Sequence, residues 1–97
     1  MADFAPTHPG EVLREDFLKP LGLSQYALAK AIGVPQIRVS EMVNGKRAIT
    51  PDSALRLARY FGTSAEFWMG MQATYDLEVA RDEVGSKIEA QVHPRAA

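Results

Sequence analysis

Ninety-seven residues, 46% apolar and 24% charged, are enough for one domain with a modest hydrophobic core and argue against a disordered chain. The absence of cysteine excludes a disulfide framework and a thiolate metal site, and suits a reducing compartment. A net charge of −1 argues at first against a polyanionic partner, so the placement of the charges has to decide that question.

In chain order, residues 1–7 are expected to form a flexible N-terminus. They show no basic start and no apolar run, so no secretory signal is expected and the cytoplasm is the expected location. No later apolar run approaches the roughly 18 residues of a membrane span. His8-Pro9-Gly10-Glu11 opens a first helix, with proline near its first position and an acid in its first turn. Val12, Leu13, Phe17 and Leu18 follow at helical spacing, and the helix is expected to end before Pro20. His8 reads as a terminal surface residue. Neither it nor His93 has a His or carboxylate cluster at metal-ligand spacing.

Residues 24–47 form the stretch that the rest of the chain serves. Ser24 is an N-cap, Leu28, Ala29 and Ile32 mark one buried face, and Gly33 stops the helix. Pro35 starts the next helix, whose buried face is Val39, Met42 and Val43 and whose outer face is Gln36, Ile37, Arg38, Ser40 and Glu41. Asn44-Gly45 ends it, and Lys46-Arg47 follow at once. A buried helix, a glycine turn and a second helix with a polar, arginine-bearing outer face is a helix-turn-helix pattern, whose DNA-binding form lays the second helix in the major groove. The plainer reading is a solvated helix face. Two details favour DNA: Ile37 faces outward, where it could meet a thymine methyl, and Gln25 opens the first helix, where its amide could reach a phosphate.

Ile49 is expected to anchor the following loop inward. Thr50-Pro51-Asp52 starts a helix with Ala54, Leu55, Ala58 and Phe61 on its buried side and Arg56 and Arg59 off it. Thr63-Ser64 caps a longer helix with two apolar stripes. Phe67, Trp68, Met71, Tyr75 and Val79 form one; Ala73, Leu77, Ala80 and Val84 form the other. The second stripe either packs on the first helix or forms a homodimer interface, and the need of a helix-turn-helix to read two half-sites favours the homodimer. Gly70 is expected to permit a close helix contact. From Gly85 the pattern is lost, so the domain is set at residues 8–84 and residues 85–97 are expected to be a flexible tail.

The charge distribution supports this reading. Residues 30–59 carry Lys30, Arg38, Lys46, Arg47, Arg56 and Arg59 against Glu41 and Asp52, so the basic segment coincides with the helix-turn-helix. Residues 66–83 carry Glu66, Asp76, Glu78, Asp82 and Glu83 against Arg81. There is no Gly-rich phosphate loop, no Cys nucleophile and no His–carboxylate pair at usable spacing, so neither catalysis nor a cofactor or metal is expected.

Three segments together resemble the HigA family: HPGEVLREDFLKPLGLSQYALAKAIGVP, VSEMVNGKRAIT and DSALRLARYFGTSAEFWMGMQATYDLEVA. HigA proteins are Xre-type, lambda-repressor-like DNA-binding antitoxins of bacterial toxin–antitoxin modules. The resemblance spans residues 8–84 and implies an all-α, five-helix fold with helices two and three as the helix-turn-helix. By position it places Gln36, Ile37, Arg38, Ser40 and Glu41 against bases and Gln25, Asn44, Lys46 and Arg47 against phosphates. Glu41 is either a cytosine contact or a partner that fixes Arg38. The resemblance further implies a homodimer that represses its own operon by binding operator DNA, and a HigB-type toxin partner, a RelE-like ribonuclease that cleaves mRNA on the ribosome. A stand-alone Xre-type regulator without a toxin, and a helical adaptor that binds only protein, remain open alternatives.

Overall fold

The structure, a computed structural model, describes residues 5–96; the first four residues of the flexible N-terminus expected at residues 1–7, and the last residue of the expected tail, lie outside the described residues. The described residues form five helices and no strand. The first, α1, runs continuously through Pro9–Val12, Leu13–Leu18 and Lys19–Leu21. It is followed by α2 (Gln25–Ile32), α3 (Gln36–Val43), α4 (Pro51–Phe61) and α5 (Ala65–Gln91).

The first helix does not stop before Pro20. Leu13–Leu18 is wound as a π-helix, in which the Lys19 N–H donates to the Arg14 carbonyl, five residues back. The wider turn shifts the hydrogen-bond register ahead of the proline and relieves the clash of its ring with the carbonyl of residue i−4. The helix therefore passes Pro20 and closes at Gly22, whose φ of 61° is left-handed. The N-terminus of α1 lies directly on the C-terminus of α3. A Cβ on Gly10 would stand 1.7 Å from the Met42 carbonyl oxygen, so this crossing requires glycine.

Each helix contributes one apolar face to a single core: Leu13 and Leu18 from α1, Leu28 and Ile32 from α2, Val39 and Met42 from α3, and Ala54 and Leu57 from α4. Trp68 of α5 is fully buried at the centre, and its indole N–H donates to Thr63 Oγ1 at 2.8 Å. Phe17 and Phe61 pack against it with ring centroids at 5.1 and 6.5 Å. Burying such a ring contributes about 1.5–3 kcal/mol and satisfies its polar edge as well.

The buried stripe of α4 differs from expectation at one position. Leu55 is 64% exposed, and Leu57 is buried in its place. At 100° per residue, Ala54, Leu57, Ala58 and Phe61 follow the i, i+3, i+4, i+7 spacing of one face, and Leu55 falls beside it. The last helix also continues past Gly85, as far as Gln91. Beyond Tyr75 every described residue except Val79 and Gly85 is exposed, so this half of α5 projects from the core and stretches the molecule to 53 Å.

Candidate nucleic-acid interface

The pair α2–α3 is built from local signals. Ser24 Oγ accepts from the Ala27 N–H at 3.0 Å and caps α2. Gly33, with φ 73°, ends it, and the Gly33 and Val34 N–H groups both donate to the Ala29 carbonyl. Pro35 stands as the N-cap of α3 in extended conformation. The turn is clamped from outside by α4: Arg56 Nη1 donates to the Ile32 carbonyl at 2.8 Å and to that of Gly33 at 3.4 Å. Arg56 thus satisfies the end of α2, where a cation is favoured by the helix dipole.

With Val39, Met42 and Val43 buried, the opposite side of α3 is presented outward. Gln36 and Ile37 are exposed, Ile37 at 63%, while Arg38, Ser40 and Glu41 are half-buried along the same side. The five residues expected to contact bases therefore share one surface. The four expected to grip phosphates flank it: Gln25 is half-buried at the first position of α2, Asn44 is the exposed C-cap of α3, and Lys46 and Arg47 are exposed in the loop that follows.

Glu41 does not fix Arg38. Its Oε1 accepts from Arg47 Nε at 2.8 Å and from Nη2 at 2.6 Å. Arg38 instead donates from Nη1 to Asp52 Oδ1 at 2.8 Å, across to the first turn of α4. Arg56 Nε donates to the same Asp52 oxygen, also at 2.8 Å. The guanidinium of Arg56, and then that of Arg38, hold the Asp52 carboxyl below the usual carboxylate range. Among the described ion pairs none involves Lys30, Lys46 or Arg59.

The loop 44–50 carries Lys46 and Arg47 and is held from below by two polar residues that sequence reasoning assigned no such role. Gln72, buried in α5, accepts the Ile49 N–H at Oε1 (2.7 Å) and donates from Nε2 to Asp76 (2.9 Å). Its signal was present: it lies four residues after Trp68, on the buried face of α5. His8 is the other, and it is buried rather than a surface residue. Its Nδ1 accepts the Gly10 N–H at 2.9 Å and caps α1, its ring meets Tyr75 edge-on at 4.8 Å, and it lies beneath Gly45. Burial pushes its pKa below the ordinary imidazole value, against the opposing pull of Asp76 and the Arg47 backbone.

The second stripe of α5 is open to solvent. Ala73, Leu77, Ala80 and Val84 are all exposed, Leu77 at 51% and Val84 at 39%, and Ile88 at 49% extends the row. They do not pack on α1. Among the described residues nothing outside the helix's own backbone lies within 4 Å of a Cβ built on Gly70, so the close contact expected there is not made by them. No described group of three or more His, Asp or Glu could hold a metal ion, and no described helix is long and apolar enough to cross a membrane.

The sequence matches the Helix-turn-helix (HTH_3) family over residues 15–68. It is 55% identical over 76 residues to virulence-associated protein I of Dichelobacter nodosus, covering 78% of this chain and 70% of that protein. Among solved structures it is similar to the Pseudomonas aeruginosa antitoxin HigA determined with the higBA promoter, at 44% identity and a TM-score of 0.92, covering 94% of this chain and 99% of that one. It is likewise similar to antitoxin GraA in complex with its operator, at 37% identity and a TM-score of 0.91, covering 100% and 98% of the two chains. The chain belongs to the helix-turn-helix family and, within it, to the HigA antitoxins.

Proposed function

We propose that this protein binds double-stranded operator DNA as a homodimer, represses its own operon, and neutralises a HigB-type toxin in the cytoplasm. The observation that carries the DNA part is the shared surface of α3 and the adjoining loop. Gln36, Ile37 and Arg38 face outward, and Lys46, free of any carboxylate partner among the described residues, stands beside them. Such a surface offers base-edge donors flanked by phosphate contacts. Its relatives HigA and GraA are solved with promoter and operator DNA, which supports the same use of the surface here.

The homodimer reading rests on the open stripe of α5. An exposed row of apolar side chains on a projecting helix suits a second copy of the same helix. A two-fold pair would present two α3 helices to half-sites roughly 34 Å apart, one turn of DNA. The toxin reading rests on kinship with antitoxins, and no surface of the chain is assigned to it.

A fluorescence-anisotropy titration with DNA from upstream of the gene, repeated from low to moderate salt, tests the DNA part. Several phosphate contacts should make affinity fall steeply as salt rises, and a salt-independent or absent signal would contradict it. Leu77→Asp should convert a sedimenting dimer to monomer; unchanged sedimentation would remove the α5 interface. Co-purification with the product of the neighbouring gene tests the toxin partner.

A further inference from the structure

Asp52, in the first turn of α4, is linked to α3 directly and to α2 through Arg56. Its Oδ1 accepts from Arg38 of α3 and from Arg56 of α4, each at 2.8 Å, and Arg56 in turn holds the Ile32 carbonyl at the end of α2. The Arg38 side chain is only 29% exposed, although it belongs to the outward face. A guanidinium carries five N–H donors in a rigid fork, and the described hydrogen bonds of the Arg38 side chain use one of them.

An unanchored arginine can settle on any phosphate. One anchored at Nη1 presents its remaining donors in fixed directions, as a guanine edge requires. Because Asp52 is itself fixed through Arg56 to the end of α2, the direction of Arg38 is set relative to both helices of the motif. Asp52 also places a full negative charge beside a surface expected to meet phosphates. That charge opposes binding that relies on phosphate attraction alone, whatever the sequence.

We propose that Asp52 is a specificity-determining residue of the DNA-binding surface, positioning Arg38 for base reading and penalising sequence-independent binding. This rests on the DNA-binding reading above. A purely structural role would be different in kind: an acid in the first turn of α4 favours the helix dipole, and its loss would weaken the fold and every DNA complex alike.

The test is a double-mutant cycle of Asp52→Asn and Arg38→Ala. Affinity is measured for each protein on duplex DNA from upstream of the gene and on a scrambled duplex, with the thermal midpoint recorded. Asp52→Asn should tighten binding to the scrambled duplex and cut the ratio of upstream to scrambled affinity by about tenfold, the scale of one misdirected bidentate contact. In the Arg38→Ala background the same change should move that ratio by less than about twofold. Equal weakening on both duplexes, or an equal fall in the ratio with and without Arg38, would overturn the proposal. A wild-type protein that does not distinguish the two duplexes would overturn the DNA reading and the role of Asp52 with it, and the wild-type titration alone reveals that case.

Discussion

The amide of Ile49 donates to Gln72 Oε1 at 2.7 Å, joining the loop after α3 to the middle of the long last helix, 23 residues away in sequence. Ile49 is itself buried, so without Gln72 this N–H would be left unpaired in the core. The loop that presents Lys46 and Arg47 is therefore fixed by the same helix that carries the exposed apolar stripe.

Replacing Gln72 by leucine keeps the volume but removes the acceptor. It should lower unfolding stability by about 1–3 kcal/mol, the cost of an unsatisfied buried amide. Denaturant unfolding measures this, and hydrogen exchange should show the Ile49 amide losing protection. Unchanged stability would mean that the bond contributes nothing net.

Two glycines should respond in opposite ways. Gly10→Ala drives a methyl group into the Met42 carbonyl, where a Cβ would stand at 1.7 Å, and should destabilise by about 3 kcal/mol or prevent folding. Gly70→Ala meets nothing within 4 Å among the described residues outside its own helix and should stabilise α5 by about 1 kcal/mol. Thermal unfolding of the two variants gives the comparison, and a stable Gly10→Ala protein would contradict the crossing of α1 on α3.

Much of this was legible from local chemistry. Ser24, Thr50 and Ser64 each accept an N–H of their helix's first turn, where hydroxyl caps were expected, and Gly33 and Gly62 end helices with positive φ. What escaped the sequence depended on tertiary contact. Pro20 looked like a helix end because a π-helical turn upstream leaves no periodic signature. His8 looked like a terminal residue because the elements that bury it, through Tyr75 and Gly45, are distant in sequence. In sequence Asp52 reads as the acid of a helix start and Arg56 as a charge off the buried side, and only the meeting of α4 with the helix-turn-helix shows what they hold. The apolar pattern stops at Gly85, but one glycine in a long helix weakens it without breaking it, and α5 continues to Gln91.

His8 makes stability depend on pH. Its folded-state pKa lies below the ordinary value of 6.5, so the unfolded chain takes up the proton first. The stability this contributes is present above that value and is lost as pH falls through it. The melting temperature should drop as pH falls from about 7.5 to 5.5, across the imidazole range. His8→Asn, whose Oδ1 can still cap α1, should flatten that slope. Asp52 and Glu15, whose carboxyls are held low by arginine and lysine neighbours, act in the same direction only at more acidic pH. An unaltered slope in His8→Asn would show that the imidazole is not the group responsible.

Two arginine and lysine variants should separate base reading from phosphate attraction. Arg38→Ala should weaken upstream DNA binding by about 1–3 kcal/mol and relax preference at one base pair. Lys46→Ala should weaken binding about equally on all sequences and reduce the salt slope by about one unit. Competition titrations on a panel of single-base variants measure both. If Arg38→Ala leaves affinity and preference unchanged, the outward face of α3 is not the reading surface.

We propose that α3 and its following loop recognise a DNA sequence near the gene itself. The most direct measurement is a gel-shift titration with DNA from immediately upstream, competed by scrambled DNA of equal length. Retardation that survives the scrambled competitor is the predicted result. Retardation abolished equally by both DNAs, or none at micromolar protein, would contradict it.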